Sequence, residues 1–385
     1  MAIEIVEVSS EKQLKEFIRF QITLYENCPR FVPPIIRDEF ITLSKNHNPS
    51  FEVCDTKLWL AYKDGVLSGR IAGIIHKSYI EKWGNRYARF GWFDVIDDEN
   101  VSNALFTTVE NWAVENGMEA LHGPLGFTDF DPEGILIDGF EELATITERY
   151  NHSYYQNFIE LAGFHKDADW VEYEVIAPKS IPEKVKRVAQ KVLDRYHLKV
   201  VKINSVRELL PYSKGIFRII NDIYGLMYGF TPITEKQIEF YIGKYIKYLT
   251  PDLISIITNS DNQVVAFGIT MPSYSKALQK IGGKYYPFGQ CTINKAKKSN
   301  DTLDMYFIGV HPEYQNKGLV AVIFNDMLGR VLNKGFVKAE TNIEFESNDK
   351  VRSLWDFFEH RQHKRRRSYF KYLVQKSRSE DAKLI

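Results

Sequence analysis

The alternation of apolar and polar positions runs twice through one plan. Residues 4–8 alternate as a strand does, and Ser9 or Ser10 caps a helix to about residue 25 whose apolar face holds Leu14, Phe17, Ile18 and Ile22. Phe31-Val32-Pro33-Pro34 stops it. Residues 57–62 read as a strand, Lys63-Asp64-Gly65 as its turn and 66–76 as the hairpin partner. A strand over 87–95, a helix over 100–115 ending at Asn116-Gly117 and a strand over 120–123 follow. A helix over 153–161 stops at Gly163, and 169–175 is the strand expected to close this sheet. The second pass has strands over 199–203, 253–258, 264–271, 302–310, 338–343 and 366–374, with helices after Ser205 and over 212–224, 318–334 and 349–358. An apolar insertion, 272–300, interrupts it and reads as a lid. The expected fold is mixed α/β (α+β), with two tandem domains, each a mostly antiparallel sheet flanked by helices. They span 1–176 and 199–385, joined by a linker helix in 177–198. At 385 residues the chain exceeds one ordinary core.

The second pass carries a chemical signal that the first lacks. The strand ending at Val310 leads through His311-Pro312-Glu313-Tyr314-Gln315-Asn316-Lys317-Gly318-Leu319 into a helix. Amides in such a loop and in a helix's first turn have no partner behind them, so they bind anions; Gly318 permits close approach and Lys317 adds charge. Val310, Pro312, Gln315 and Gly318 match the pyrophosphate-binding motif of the GNAT acyltransferases, which this stretch resembles. Val320 stands where that family has Gly or Ala, which puts the closeness of helix to cofactor in doubt. The resemblance implies two GNAT-like halves, with acetyl-CoA or a longer acyl-CoA bound by the second. Ile308, Gly309 and Val310 would meet the thioester, and Gln315, Asn316, Lys317, Gly318, Leu319 and Val320 the phosphates. In the first half Ile96-Asp97-Asp98-Glu99 fills the equivalent loop, and its acids would repel a pyrophosphate.

For such a family the implied reaction is N-acyl transfer to an amine by direct attack on the thioester, without metal. Asp304 and Tyr306 alternate on one strand and are expected on one face as catalytic candidates, Asp304 as the base. Asn348 is expected near the cofactor arm, with helix capping an equally good reading. The family's usual Tyr in the next helix is replaced by Leu354-Trp355, leaving Tyr369 or Tyr372 as substitutes. Gly309 inside a strand marks either a bulge and ligand approach or a neighbouring aromatic. Tyr228 and Phe230, in an aromatic and glycine-rich stretch, are acceptor-site candidates. The stretches 122–128, 134–140, 150–155 and 228–232 resemble a bacterial two-domain GNAT-like family, some of whose relatives are linked to N-acylation of long-chain aminolipid bases. That adds Glu133, Tyr154 and Tyr155 as acceptor-site candidates.

Composition narrows the partners. Formal net charge is zero, so there is no overall polyanion signature: DNA is not expected and RNA is disfavoured. The local exception is His363-Lys364-Arg365-Arg366-Arg367, read as a solvated basic strand end, a phosphate clamp or a contact with an anionic membrane surface. Three cysteines without metal spacing, scattered histidines and the lack of a signal-like N-terminus or a ~20-residue apolar run point to a cytoplasmic, metal-free protein, with the inner membrane face left open. The expected acceptor is a small-molecule or lipid-like amine; oligomeric state is not readable. The rival readings are a non-catalytic GNAT-fold binding protein and an aminoacyl-tRNA-dependent transferase.

Overall fold

The structure is a computed structural model and describes residues 2–225, 227 and 229–373. Fourteen strands form one sheet: β1 Ile3–Glu7, β2 Cys54–Lys63, β3 Val66–His76, β4 Tyr87–Val95, β5 Ala120–Gly123, β6 Ile135–Asp138, β7 His165–Ile176, β8 Lys199–Val200, β9 Ile254–Thr258, β10 Val264–Pro272, β11 Thr302–Val310, β12 Lys338–Glu340, β13 Glu344–Phe345 and β14 His360–Tyr372. In the first half β1 to β4 pair antiparallel and β4 pairs parallel with β5. The second half repeats this, with β8 to β11 antiparallel and β11 parallel to β12.

Local chemistry starts the helices where the pattern places them. Ser10 and Gln13 form a reciprocal capping box on helix Glu11–Leu24, so two amides at its start are satisfied. Leu14, Phe17 and Ile18 are buried on its inner face. Helix Glu99–Glu115 lies close on β3 because Gly69 and Gly73 leave room for it. A Cβ at either glycine would come within 2.8 Å of Leu105 or 2.7 Å of Trp112.

The closing strands depart from the expected plan. β7 was expected to complete the first sheet and β14 the second. Instead β14 pairs with β5 and β7, and β7 pairs with β12. Each half is therefore extended by the closing strand of the other, and the order β5-β14-β7-β12 makes one continuous sheet. The basic stretch is the chemical counterpart of this exchange. Arg366 Nε donates to Glu172 at 2.7 Å, and the Lys364 ammonium lies 3.1 Å from the same carboxylate. Arg367 and Arg365 donate to Asp169 at 2.7 and 3.1 Å, and His363 meets Glu340 at 2.9 Å. Lys364 and Arg366 are each 1% exposed. The cluster is thus not a solvated strand end, a phosphate clamp or a membrane contact, because its charges are consumed inside the sheet. Burial alone would raise the Glu172 carboxyl, but Lys364 and Arg366 overcome it and hold it at about 2.

The insertion is a strap and not a lid. Its helices, Ser275–Ile281 and Gly289–Lys298, pack Ala277, Leu278 and Ile293 against Val32, Ile35 and Ala144 of the first half. Gln279 donates to the carbonyls of Pro29 and Phe31 at 2.8 and 3.0 Å, and the Ile36 amide donates to Gly283. No described helix is long and apolar enough to cross a membrane.

Removing one side of a buried ion pair leaves the other charge uncompensated, at a cost of about 3–5 kcal/mol. Arg366→Met should therefore lower unfolding stability by about that amount at pH 7. Glu172 has a depressed pKa, so its contribution is present above its unfolded value near 4.5 and is lost as pH falls toward 2. The deficit of the variant should shrink over the same range in denaturant titrations. An unchanged midpoint at pH 7 would mean that the ladder does not hold the exchange together.

Candidate functional site

The parallel pair β11 and β12 holds together over only three residues, Thr302–Asp304 against Lys338–Glu340, and then parts. Next to the parting, β11 carries a bulge. Met305 faces Thr270 and Phe307 faces Ile269 on β10, so Tyr306 between them has no opposite residue. Beyond Asp304 the backbone of β11 has lost its β12 neighbour. A cavity of about 230 Å³ occupies the opening, with Met305, Tyr306, Phe307 and Ile308 on one wall and Thr341, Asn342 and Glu344 on the other. Ile323 and Met327 of helix Leu319–Asn333 and Trp355 make its apolar floor.

At the end of β11 the chain turns through a short helical turn, Pro312–Tyr314, and enters that helix. Asn316 and Gly318 both take left-handed backbone, with φ of 60° and 83°. A Cβ at Gly318 would also sit 3.2 Å from Val192, so both backbone and packing favour glycine there. The first amides of the helix have no carbonyl a turn behind them to bond. The Lys317 ammonium is held over the rings of Tyr196 and Tyr314, at 5.1 and 4.9 Å, beside these amides. Helix Glu183–Tyr196 packs its Val188 and Val192 against this N-terminus.

No family model matches the chain. A solved tandem GNAT protein from the clavulanic acid biosynthesis pathway aligns with 97% of this chain and 99% of its own, with a TM-score of 0.56 at 12% identity. This chain has the tandem GNAT fold. A conserved protein of Enterococcus faecalis, described as a probable N-acyltransferase, aligns with 97% of this chain and 74% of its own at a TM-score of 0.54 and 8% identity. By sequence the chain is similar to Protein YghO of Escherichia coli, 28% identical over 320 residues, which is 82% of this chain and 80% of that protein. It is also similar to Bacterial ceramide synthase of Caulobacter vibrioides, 24% identical over 291 residues, 74% of each chain.

Within the GNAT fold the candidate residues divide. Ile308 lines the opening, as do Tyr306 and Asn348. Asn348 also caps the short helix Asp349–Arg352, accepting from the Val351 amide at 3.4 Å. Gln315 and Asn316 are exposed in the loop, Leu319 is buried against the packed helix, and Val310 and Val320 are half-buried and line neither cavity described here. Gly309 fits a neighbouring aromatic: a Cβ there would lie 2.5 Å from the Phe267 ring. The bulge belongs to Tyr306 instead. That extra residue breaks the alternation expected to bring Asp304 and Tyr306 to one face. Asp304 sits back where β11 and β12 still pair, 4% exposed, outside the cavity. Burial lifts its carboxyl to about 7; Ser273 pulls it down, Glu340 pushes it up.

Tyr369 rides on β14 into the core of the first half, opposite Gly123 of β5, and lines neither cavity. Tyr154 and Tyr155 are also there: Tyr154 donates to the Val95 carbonyl at 2.9 Å, and Tyr155 accepts from the Val95 amide and donates to Asp94. Phe230 is buried in the second-half core, and its carbonyl receives Lys82 and Trp83 of the first half at 2.9 and 3.1 Å. Tyr228 lies outside the described residues. Glu133 reaches the opening, and with it comes Asp129, which the pattern did not single out. The signal available was the acid-rich loop Thr128-Asp129-Phe130-Asp131-Pro132-Glu133 between two glycines. Trp355, in place of the expected Tyr, donates its indole N–H to Glu344 at 3.0 Å. Burial raises the Glu344 carboxyl to about 7. Among the described residues no cluster of three or more His, Cys, Asp or Glu is placed to hold a metal ion.

Asp304 has a raised pKa, so the stability it lends is full below its unfolded value of 3.8 and is lost as pH rises through about 7. Roughly three pH units at about 1.4 kcal/mol each set a ceiling of about 4 kcal/mol. Asp304→Asn should melt higher than wild type at pH 8 and at the same temperature near pH 3.5. A lower melting temperature at pH 8 would show that the charged form is the one the fold requires.

Proposed function

We propose that this chain transfers an acyl group from an acyl-CoA to a primary amine with lipid-like character. The observation that carries the reading is the opening between β11 and β12, lined by the carboxylates of Asp129, Glu133 and Glu344, on the strand that leads through Gly318 into a helix N-terminus. An acyl-CoA fits that arrangement on three counts. The left-handed Gly318 and the free amides after it suit a pyrophosphate. The unpaired edge of β11 offers hydrogen bonds to an extended amide-bearing arm, as a strand would. The apolar floor of Ile323 and Met327 suits an acyl chain. When bound, acyl-CoA would supply the activated carbonyl; the chain's own residues orient it, exclude water and accept the amine's proton.

The first half supports the acceptor side. Its loop equivalent to Gln315–Gly318 is acidic, and Asp98 is spent on capping helix Glu99–Glu115 and on pairing with Lys63. The similarity to Bacterial ceramide synthase supports a long-chain amine over a protein N-terminus or a small polar amine. Attack by the amine itself is favoured, since no cysteine lines the opening.

Calorimetric titration with acetyl-CoA and palmitoyl-CoA tests the reading. Wild type should bind both saturably and palmitoyl-CoA more tightly. Gly318→Glu, which places a carboxylate where phosphates are expected, should weaken both at least tenfold without unfolding the protein. Wild type that binds neither would overturn the acyltransferase reading. Equal binding by the variant would move the phosphate site elsewhere.

A further inference from the structure

Asp129 and Glu133 line the cavity wall without a direct ion pair among the described residues, with Arg89 and Lys82 acting on them from nearby. Glu133 is 9% exposed and Asp129 is half-buried, and the Asp129 carboxylate accepts from the amide of its own residue. The nearest cations are engaged elsewhere. Arg89 donates to the carbonyls of Gly126 and Gly229 at 3.0 and 2.6 Å, and Lys82 to those of Gly225 and Phe230 at 2.5 and 2.9 Å. The neighbouring acids differ from this pair. Asp131 accepts the amides of Phe127 and Thr128 and so shapes the loop, while Glu148 lies 3.8 Å from Arg366. Two neighbouring carboxylates in a largely apolar wall are costly to ionise together, and a cation between them relieves that cost.

A second cavity, of about 100 Å³, begins at the same place. It runs between helices Val206–Tyr224 and Glu235–Tyr245, walled by Leu209, Ile216, Phe217, Ile220 and Leu249. Asp129, Tyr306, Phe307 and Asn342 line both cavities, so the two meet at the bulge of β11. A molecule in the second cavity has its free end beside Asp129 and next to the parted strands. A cationic head on an apolar tail matches the walls in that order: carboxylates at the mouth, hydrocarbon within. An acyl tail would have to pass the same acids with no charge to offer them.

The geometry points to an alkylamine acceptor whose ammonium group sits between Asp129 and Glu133, whose hydrocarbon chain fills the second cavity, and whose proton passes to that carboxylate pair. This rests on the acyltransferase reading and names its acceptor site and base. One carboxylate takes a proton from the ammonium ion. The freed lone pair forms the N–C bond at the thioester carbon, the C–S bond breaks with its electrons on sulfur, and a second amine proton ends on the thiolate. The products are an amide, a thiol and one proton, which the carboxylic acid returns to solvent.

The electrostatics suit that role. Burial pushes Asp129 to about 6 against the pull of Arg89 and Lys82. Burial, then Asp129 and Glu148, push Glu133 well above the usual carboxylate range. The groups facing the pair are Arg89, Lys82, Asp131, Glu148 and Tyr224. Mutual repulsion opposes ionising both carboxylates at once, and an ammonium ion between them relieves it. Turnover should rise with pH through the acidic limb set by the pair. Asp129→Asn removes the repulsion on Glu133, so it should move that limb to lower pH.

The test titrates decylamine and decanol into wild type and Asp129→Asn/Glu133→Gln, with palmitoyl-CoA binding and N-acylation of decylamine followed in parallel. In the variant, decylamine affinity should fall at least tenfold while decanol and palmitoyl-CoA bind within twofold of wild type. Its turnover should fall about 100-fold or more, the range for losing a general base. In wild type, affinity from butylamine to decylamine should rise with each methylene, about fourfold at best for full burial. Wild-type amine affinity in the variant, or wild-type turnover with palmitoyl-CoA still bound, overturns the assignment of the pair. A flat chain-length series overturns the second cavity as the chain site. Wild type that binds decylamine but no acyl-CoA would keep the amine site and remove the transferase reading instead.

Discussion

The antiparallel pairing of β7 with β14 is the constraint on which the rest of the structure depends. These are the longest strands in the sheet, and each has come from the far end of the other's half. Backbone hydrogen bonds alone would not choose this arrangement, because any edge strand offers the same row of donors and acceptors. The choice lies in side chains. Glu172 and Asp169 on β7 meet Lys364, Arg366, Arg365 and Arg367 on β14, so the acids of one half are answered by the bases of the other. Separating the halves would leave buried charges of both signs without partners. The cost of that separation enforces a specific register more than it adds stability, since well-packed apolar residues would do as well for stability alone.

The same pairing positions the site. β12 is held between β7 and β11 for only three residues, and the chain then turns away to pair β13 with β7. β11 runs on with no neighbour on that side. The opening is therefore a by-product of which strand β12's successor follows, and the bulge at Tyr306 widens it by one unpaired residue. Asp129 and Glu133, which face the opening together with Glu344, belong to the first half, on the loop between β5 and β6. A site assembled from β11 and helix Leu319–Asn333 of one half and a loop of the other needs both halves clasped. The strap of residues 275–298 and the Asp38 contacts to Lys247 and Tyr248 supply that clasp.

Much of the local structure was legible. The turn at Asp64-Gly65, the cap at Ser10, the left-handed Gly318 and the helix after it all rest on residues within a few positions of one another. Tyr306, Ile308 and Glu133 line the opening. Asp304 missed it because a single extra residue on β11 shifts every later side chain to the opposite face, and a bulge leaves no mark in the strand's own pattern. Tyr369 missed it because β14 follows its partner into the first half. Tyr154 and Tyr155 read as paired aromatics and are core hydrogen-bonding groups around Asp94.

The sequence by itself determined two strand-and-helix repeats, a mixed α/β architecture and the turn at Gly318 that leads from strand to helix. Each follows from short-range rules of period, capping and backbone freedom, which act between residues close along the chain. Only the tertiary structure decided that the repeats exchange their last strands, that the basic run of residues 363–367 is buried and paired, and that Asp129 and Glu133 face the second half's opening. Those outcomes depend on contacts between residues about two hundred positions apart. There the energy comes from matching one buried charge or apolar face to another, and no single segment contains both members of the match.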